Sequence, residues 1–497
     1  MSVRRNVIAG WTGHLVTVLI GFFLMPYILG TVGEAQYGAW LFINAVAAYS
    51  GMIYAGFGAT ICRYVADLAT RRDWNKLNAV VSSIQLIYFG TASLVLLFAA
   101  GFAWFAPSLK QWEGVNPSEM QIAILIVGST IALGMVASVY GGVLVGMQRF
   151  DITRSIEIGT SILRLVLTVV CLSHQFSLIT LSLIFFASTV IEHSCSWFFA
   201  HRAVRTLSVA PWHARRVVMK ECFSYSAFNA VALVAEYLIY FSDTVVIGIM
   251  LGPRFVVPYQ IALRVSQMIQ MPIVQIGEAI LPKAGELAAQ KNTTALSRLV
   301  SQGMGAAFLL AGGFFIGASY YGDLLIKTWI RQELDATLPI MVILLAAQTV
   351  NLPMTIIRKA LLGIGQVRMQ AFIDLSEAVV NLVLSVLFIH LWGIVGVAWG
   401  TFIPLTVIEL CVLLPYASRP LGLEARSLWR TVVMPQVPAL LALVLFCEAT
   451  WRSVPAQGWI PLLGVTASGG VVLLGTWWMT QRLTSISLLK PDPSLAG

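Results

Sequence analysis

Charged side chains are scarce in this chain. Asp, Glu, Lys and Arg supply 11% of its 497 residues, less than half the roughly 25% of an ordinary soluble domain, too few to cover a water-exposed surface of this size. Paired cysteines are missing as well. Cys62, Cys171, Cys195, Cys222, Cys411 and Cys447 are scattered, with no CxxC spacing, so neither a zinc site nor a disulfide framework is expected. The longest expected outer connection, near residues 322–335, holds no HExxH-like pattern and no paired carboxylates, which argues against catalysis outside a membrane.

What the chain has instead is apolar sequence, 58% hydrophobic residues, gathered into runs of the ~20 residues that cross a hydrocarbon core of ~30 Å. The runs lie at 7–30, 38–60, 79–106, 119–146, 158–172, 177–199, 223–250, 257–281, 300–321, 336–357, 371–389, 393–417, 431–449 and 459–480. They predict an all-α polytopic membrane protein of about 14 transmembrane helices. The run at 158–172 is short alone and needs Glu157 or Ser173 near the interface. The first run follows Arg4 and Arg5, as a secretory signal would, but continues past Pro26 without a small-residue cleavage site, so a retained helix is expected.

The net charge of +9 could suggest nucleic acid, but its placement follows the membrane. With the amino terminus inside, 24 of the 31 Lys and Arg fall in inner segments, 5 in outer ones, and Arg164 and Arg264 within spans. Such asymmetry predicts both termini in the cytoplasm.

The sequence also repeats itself. Leu29-Gly30 and Tyr37 match Leu251-Gly252 and Tyr259; Gly58, Ile61, Leu68 and Ala69 match Gly277, Ile280, Leu287 and Ala288; Gly146 and Leu165 match Gly363 and Leu382. Thr189-Val190-Ile191-Glu192 recurs unchanged as Thr406-Val407-Ile408-Glu409. Collinear matches with a slowly drifting offset predict two six-helix lobes, residues 1–210 and 211–422, related by a pseudo-two-fold axis along the membrane normal with a cavity between them. Residues 423–497, with spans thirteen and fourteen, lie outside the repeat.

An ionisable group inside a span is costly unless it meets a partner or water, so it marks a candidate site. Asn229, Glu236 and Asp243 share one face of span seven, and Arg264, Gln267, Gln275 and Glu278 share one face of span eight. Asp243 and Arg264 stand at equal distances from the intervening loop, which fits both an inter-helix ion pair and a gate. Span five carries Glu157, Ser161, Arg164 and Thr168, matched in the second lobe by Asp374, Asn381 and Ser385, so the duplication kept the acid and not the arginine. Glu192 and Glu409 lie near enough to the inner surface to snorkel or cap. The candidate substrate-binding residues are Arg164, Arg264, Gln267, Asn229 and Asn381; the candidate coupling or gating residues are Glu236, Asp243, Glu192 and Glu409. No cofactor is expected beyond proton or sodium coupling.

At MPYILGTVGEAQYGAW (25–40), GFGATICRYVADL (56–68), SDTVVIGIMLG (242–252) with Tyr259, Ala262 and Arg264, and GIVGVAWG (393–400), the chain resembles the multidrug/oligosaccharidyl-lipid/polysaccharide flippase superfamily, in its polysaccharide transporter (Wzx-type) branch. One departure is Tyr54, where that family often has an acid. The resemblance implies a flippase that moves an undecaprenyl-diphosphate-linked oligosaccharide from the cytoplasmic to the periplasmic leaflet of a bacterial inner membrane by alternating access. Its implied partners are the lipid-linked substrate, the bilayer, and polysaccharide polymerases and glycosyltransferases, with no nucleic acid. An anionic diphosphate-sugar headgroup needs cations and hydrogen-bond donors along its path, a role open to Arg164 and Arg264. The alternatives are a cation-coupled exporter of small amphipathic molecules and a membrane polymerase or ligase using the same lipid-linked donor.

Spans thirteen and fourteen are mostly Leu, Val and Trp, with Glu448 as the one acid well inside, so they are not expected to line a polar path. The resemblance extends to lipid II flippases, whose added helix pair grooves the polyprenyl tail. The other expectation is a pair that only packs on the second lobe.

Overall fold

A computed structural model describes residues 19–109, 112, 114–172, 177–366, 368–424, 428–455 and 457–488, with the side chains of 51–57, 59, 221–233, 235, 236, 240, 368 and 483–488 left undescribed. The described residues contain helices and no strand. In order these are α1 (Leu19–Val32), α2 (Glu34–Thr70), α3 (Trp74–Phe105), α4 (Pro117–Gly146), α5 (Phe150–Leu172), α6 (Leu178–Ala203), α7 (Arg216–Met250), α8 (Val256–Met268), α9 (Gln270–Ala289), α10 (Thr293–Ile330), α11 (Thr337–Gly363), α12 (Arg368–Ile408), α13 (Leu414–Leu421), α14 (Val437–Thr450) and α15 (Trp459–Leu488). Nine described helices are long and apolar enough to cross a membrane. One of these, Met369–Leu421, covers two of the expected spans, because α12 breaks at Trp392 and Gly393, whose φ of 58° favours glycine.

Two expectations are corrected. The fifth span is not short: α5 begins at Phe150 and has 23 residues. The eighth is not one uninterrupted face, since Ile269 separates α8, with Arg264 and Gln267, from α9, with Gln275 and Glu278.

The duplication is written into the turns. Left-handed backbone occurs at Gly33 and Gly252, Arg72 and Lys291, Gly114 and Arg331, and Gln148 and Gly365, pairs offset by 219, 219, 217 and 217. Gly33 (φ 80°, ψ 168°) and Gly252 (φ 100°, ψ 166°) adopt nearly the same conformation, so the turning glycine of the first copy is Gly33 rather than Gly30. After the second pair, Asp73 and Asn292 cap the next helices alike, each side chain accepting from the N–H three residues on, at Lys76 and Ala295. The fourth helix of each copy also ends on the same contact. A Cβ on Gly146 would come within 3.1 Å of the Cys62 carbonyl oxygen, and one on Gly363 within 2.3 Å of that of Leu281, again an offset of 219 between the carbonyls.

The chain divides into two compact units, residues 1–257 and 258–497. In the first, α7 packs on α2, Gly248 lies against the Phe42 ring, and Trp112 Nε1 donates to the Gly248 carbonyl at 3.0 Å. In the second, α9, α10, α11 and α13 share a core around Ile280, Met304, Ile356 and Leu413. There the extra helices rest on a seam of small residues along α10: Gly305 meets Gln436, Gly312 meets Leu440 and Gly313 meets Leu473, the close approach by which membrane helices associate. Tyr320 donates to Glu448 at 3.0 Å and fixes the other end of that seam.

Candidate functional site

In the first unit the polar groups surround an open cavity of about 400 Å³. Trp40 and Asn44 reach it from α2, Thr130 from α4, Phe185, Glu192 and His193 from α6, and Tyr237 from α7. Arg164, on α5, stands just behind this wall. Its guanidinium lies 4.3 Å from the centre of the Phe185 ring and its Nε donates to Ser188 at 3.2 Å, while Phe185 meets Trp40 edge to face at 4.7 Å. A cation held on an aromatic face keeps its charge while half-desolvated. Arg164 is electrostatically coupled to Glu192, whereas Glu157, on the same helical stripe, pairs with Arg154 one turn away.

The second unit gathers its charges differently. Arg358, on α11, donates from Nε to Asp374 at 3.2 Å, from Nη2 to Glu377 at 3.3 Å and from Nη1 to Asn351 at 3.3 Å, and Nη1 also forms an ion pair with Glu409. The side chains are 16% exposed for Arg358, 6% for Glu377 and 0% for Glu409. One guanidinium therefore meets three carboxylates, two of them buried and the third, Asp374, 29% exposed. Glu409 opens a π-helical turn, Glu409–Leu413, a local widening often found at functional positions. Three buried acceptors between residues 381 and 409 have no donor among the described residues: Asn381 Oδ1, Thr406 Oγ1 and Glu409 Oε2.

This geometry corrects the view that Arg164 and Arg264 are the only cations inside the spans. Arg358 and Lys359 are among the 24 cations that the sequence places in inner segments. Instead α11 runs on to Gly363, Arg358 turns inward, and Lys359 pairs with Glu278. The signal for it lay in Asp374, Glu377 and Asn381, which share one helical face and call for a cation opposite. Of the other candidates, Asp243 is buried in the first unit and Arg264 is exposed on α8 of the second, with Gln267 half-buried one turn away. Asn229, Glu236 and Tyr240 on α7 and Tyr54 on α2 have side chains outside the described residues.

The polysaccharide biosynthesis protein family matches residues 3–288, more than half of the chain. The chain belongs to that family. A second family, MatE, matches residues 229–387. A putative O-antigen transporter of Shigella flexneri is 22% identical over 406 residues, covering 80% of this chain and 94% of its own length. An uncharacterized membrane protein of Bacillus subtilis, EpsK, is 22% identical over 485 residues, 94% of each chain. Among solved structures, the lipid II flippase MurJ in an inward closed conformation superposes with a TM-score of 0.72 at 12% identity, covering 98% of this chain and 99% of its own. This member of the polysaccharide biosynthesis family thus has the fold of the multidrug/oligosaccharidyl-lipid/polysaccharide superfamily, and it is a multi-pass membrane protein.

Proposed function

We propose that the chain flips an undecaprenyl-diphosphate-linked oligosaccharide from the cytoplasmic to the periplasmic leaflet of a bacterial inner membrane by alternating access, transport rather than catalysis being its work, with both termini cytoplasmic. The observation that carries this reading is the cavity of the first unit, where Trp40, Phe185 and Tyr237 offer flat apolar faces beside Asn44, Glu192 and His193, with Arg164 behind them. Aromatic faces with a few placed polar groups suit a sugar, and a guanidinium suits a diphosphate. Polysaccharide polymerases and glycosyltransferases acting on the same lipid-linked unit are the partners this reading calls for. Deletion of the gene is expected to trap lipid-linked repeat units on the inner leaflet, and normal surface polysaccharide in a deletion strain without a redundant flippase would sink the proposal. The MatE match favours a second reading, a cation-coupled exporter of small amphipathic molecules, which drug-accumulation assays separate from the first.

Coupling is assigned to the second unit. With all three carboxylates ionised, the Arg358 cluster bears two excess negative charges, and burial without balance costs several kcal/mol. A proton or a sodium ion supplies the balance, and its arrival and departure give the unit two states. Transport measured under imposed pH or sodium gradients tests this; insensitivity to both would remove the cluster from coupling.

A further inference from the structure

The second unit holds another cavity, about 1120 Å³, between the first turns of α10, the segment leading into α14 and the last turns of α15. Spans thirteen and fourteen, with the residues just before and after them, contribute Arg430, Thr431, Gln436, Thr480 and Gln481 to its lining. Arg298 and Ser297 face it from α10. Among the described residues no Asp or Glu lines the cavity, and neither Arg298 nor Arg430 has an ion-pair partner. The charge of its described lining is therefore +2.

Three further features point to the ligand. α10 begins at this wall, capped by Asn292, so the positive end of a 38-residue helix adds to the two arginines. Gln436 is 5% exposed and its Oε1 has no donor, an acceptor suited to the glycerol or sugar hydroxyls that flank a lipid phosphate. Met434, Pro435, Pro438 and Trp477 complete the lining with apolar surface. Arg430 sits in a second π-helical turn, Trp429–Val433, and both arginines belong to segments that the charge asymmetry places inside.

We propose that this cavity binds the phosphate-bearing headgroup of a lipid from the cytoplasmic leaflet, with Arg298 and Arg430 holding the phosphate and Gln436 a neighbouring hydroxyl. Two lipids share that chemistry, an undecaprenyl diphosphate and a bulk phosphatidylglycerol. The site is defined by its donors and does not rest on the flippase reading.

Native mass spectrometry of the purified full-length protein, titrated with undecaprenyl diphosphate, dioleoylphosphatidylglycerol and phosphate-free dioleoylglycerol, tests it. At least one phosphate lipid is expected to bind about tenfold or more tighter than dioleoylglycerol, with R298Q/R430Q abolishing the preference and R298K/R430K keeping part of it. Preference for the diphosphate identifies a waiting position for the substrate; equal binding of phosphatidylglycerol identifies a bulk-lipid site. Dioleoylglycerol binding as tightly as both phosphate lipids, or an unchanged preference in R298Q/R430Q, overturns the proposal. If the double variant aggregates, R430Q alone is read by the same criteria, since Arg430 is exposed and its loss leaves no buried charge unpaired.

Discussion

Glu192 and Glu409 occupy the same place in the two copies of the repeat, yet one borders an open cavity and the other is fully buried against an arginine. The arginines themselves do not correspond. At the offset of 217 that relates the two acids, Arg164 matches Asn381 and Arg358 matches Gly141. Each copy thus places a guanidinium near its conserved acid from a different helix, α5 in the first and α11 in the second. A repeat position fixes where a side chain sits along a helix, but the partner that decides its chemistry comes from a neighbour free to diverge. The first unit keeps its acid accessible to a ligand, while the second locks it among like charges.

Breaking the lock should have the largest effect. Arg358→Ala leaves two buried carboxylates, Glu377 and Glu409, and the half-buried Asp374 without their cation, and loss of one side of a buried ion pair typically costs about 3–5 kcal/mol. Thermal unfolding of the purified protein is expected to show a clear loss of stability, with part of it restored when Glu409→Gln is added. An unchanged melting temperature would mean that the acids are balanced by something other than Arg358.

Arg164→Ala comes next, and its signature differs. Arg164 is half-buried and held by a hydrogen bond to Ser188 and a ring contact with Phe185, so insertion and folding should survive while transport falls by about tenfold or more, the scale of one lost charge-assisted interaction. Arg164→Lys should recover only part, since an ammonium lacks the planar face that covers Phe185. Wild-type transport by Arg164→Ala would take the first-unit cavity out of the substrate path. The matched acids sharpen the contrast: Glu192→Gln is expected to alter substrate affinity, and Glu409→Gln the response to an imposed ion gradient. Identical phenotypes would erase the distinction between the units.

Much of the fold was legible because the membrane imposes a simple code. Apolar length marks helices, and collinear matches reveal the duplication that the paired left-handed turns now carry. Gly393 could be placed at the start of a span, and α12 does break there, at Trp392 and Gly393, with Gly396 and Gly400 folding back on Phe388 and Ser385. The sites were less legible. Arg164, Glu192, Asn381 and Glu409 were found as isolated polar residues in apolar runs, whereas Arg358 escaped because an Arg-Lys pair at a helix end looks like a surface anchor until the opposing acids are placed. Arg430 escaped likewise, and Gln436 was passed over as a neutral residue in an apolar run. For Asp243 and Arg264, a double-mutant cycle on transport is expected to give an interaction of at least about 0.5 kcal/mol if they act as one element; additive losses would separate them.

The smallest expected effect probes the packing that the two copies share. Gly146 and Gly363 are repeat equivalents, each closing the fourth helix of its copy against a backbone carbonyl of the second. In the first copy the atoms nearest a new Cβ are Val65 Cβ and Cγ1 at 2.6 and 2.7 Å, with the Cys62 carbonyl at 3.1 Å. In the second the Leu281 carbonyl oxygen itself is nearest, at 2.3 Å. A side chain yields by small rotations and shifts, although Val65 is fully buried and β-branched, which limits them. A helix carbonyl yields only if the helix moves. Overpacking of this kind costs about 1–3 kcal/mol, so Gly146→Ala should fall near the lower end and Gly363→Ala near the upper. Melting temperatures of the two purified variants test the order. Equal losses would show that the helix pairs of the second unit separate as readily as a valine shifts, and a larger loss for Gly146→Ala would make the open-cavity unit the more rigidly packed of the two.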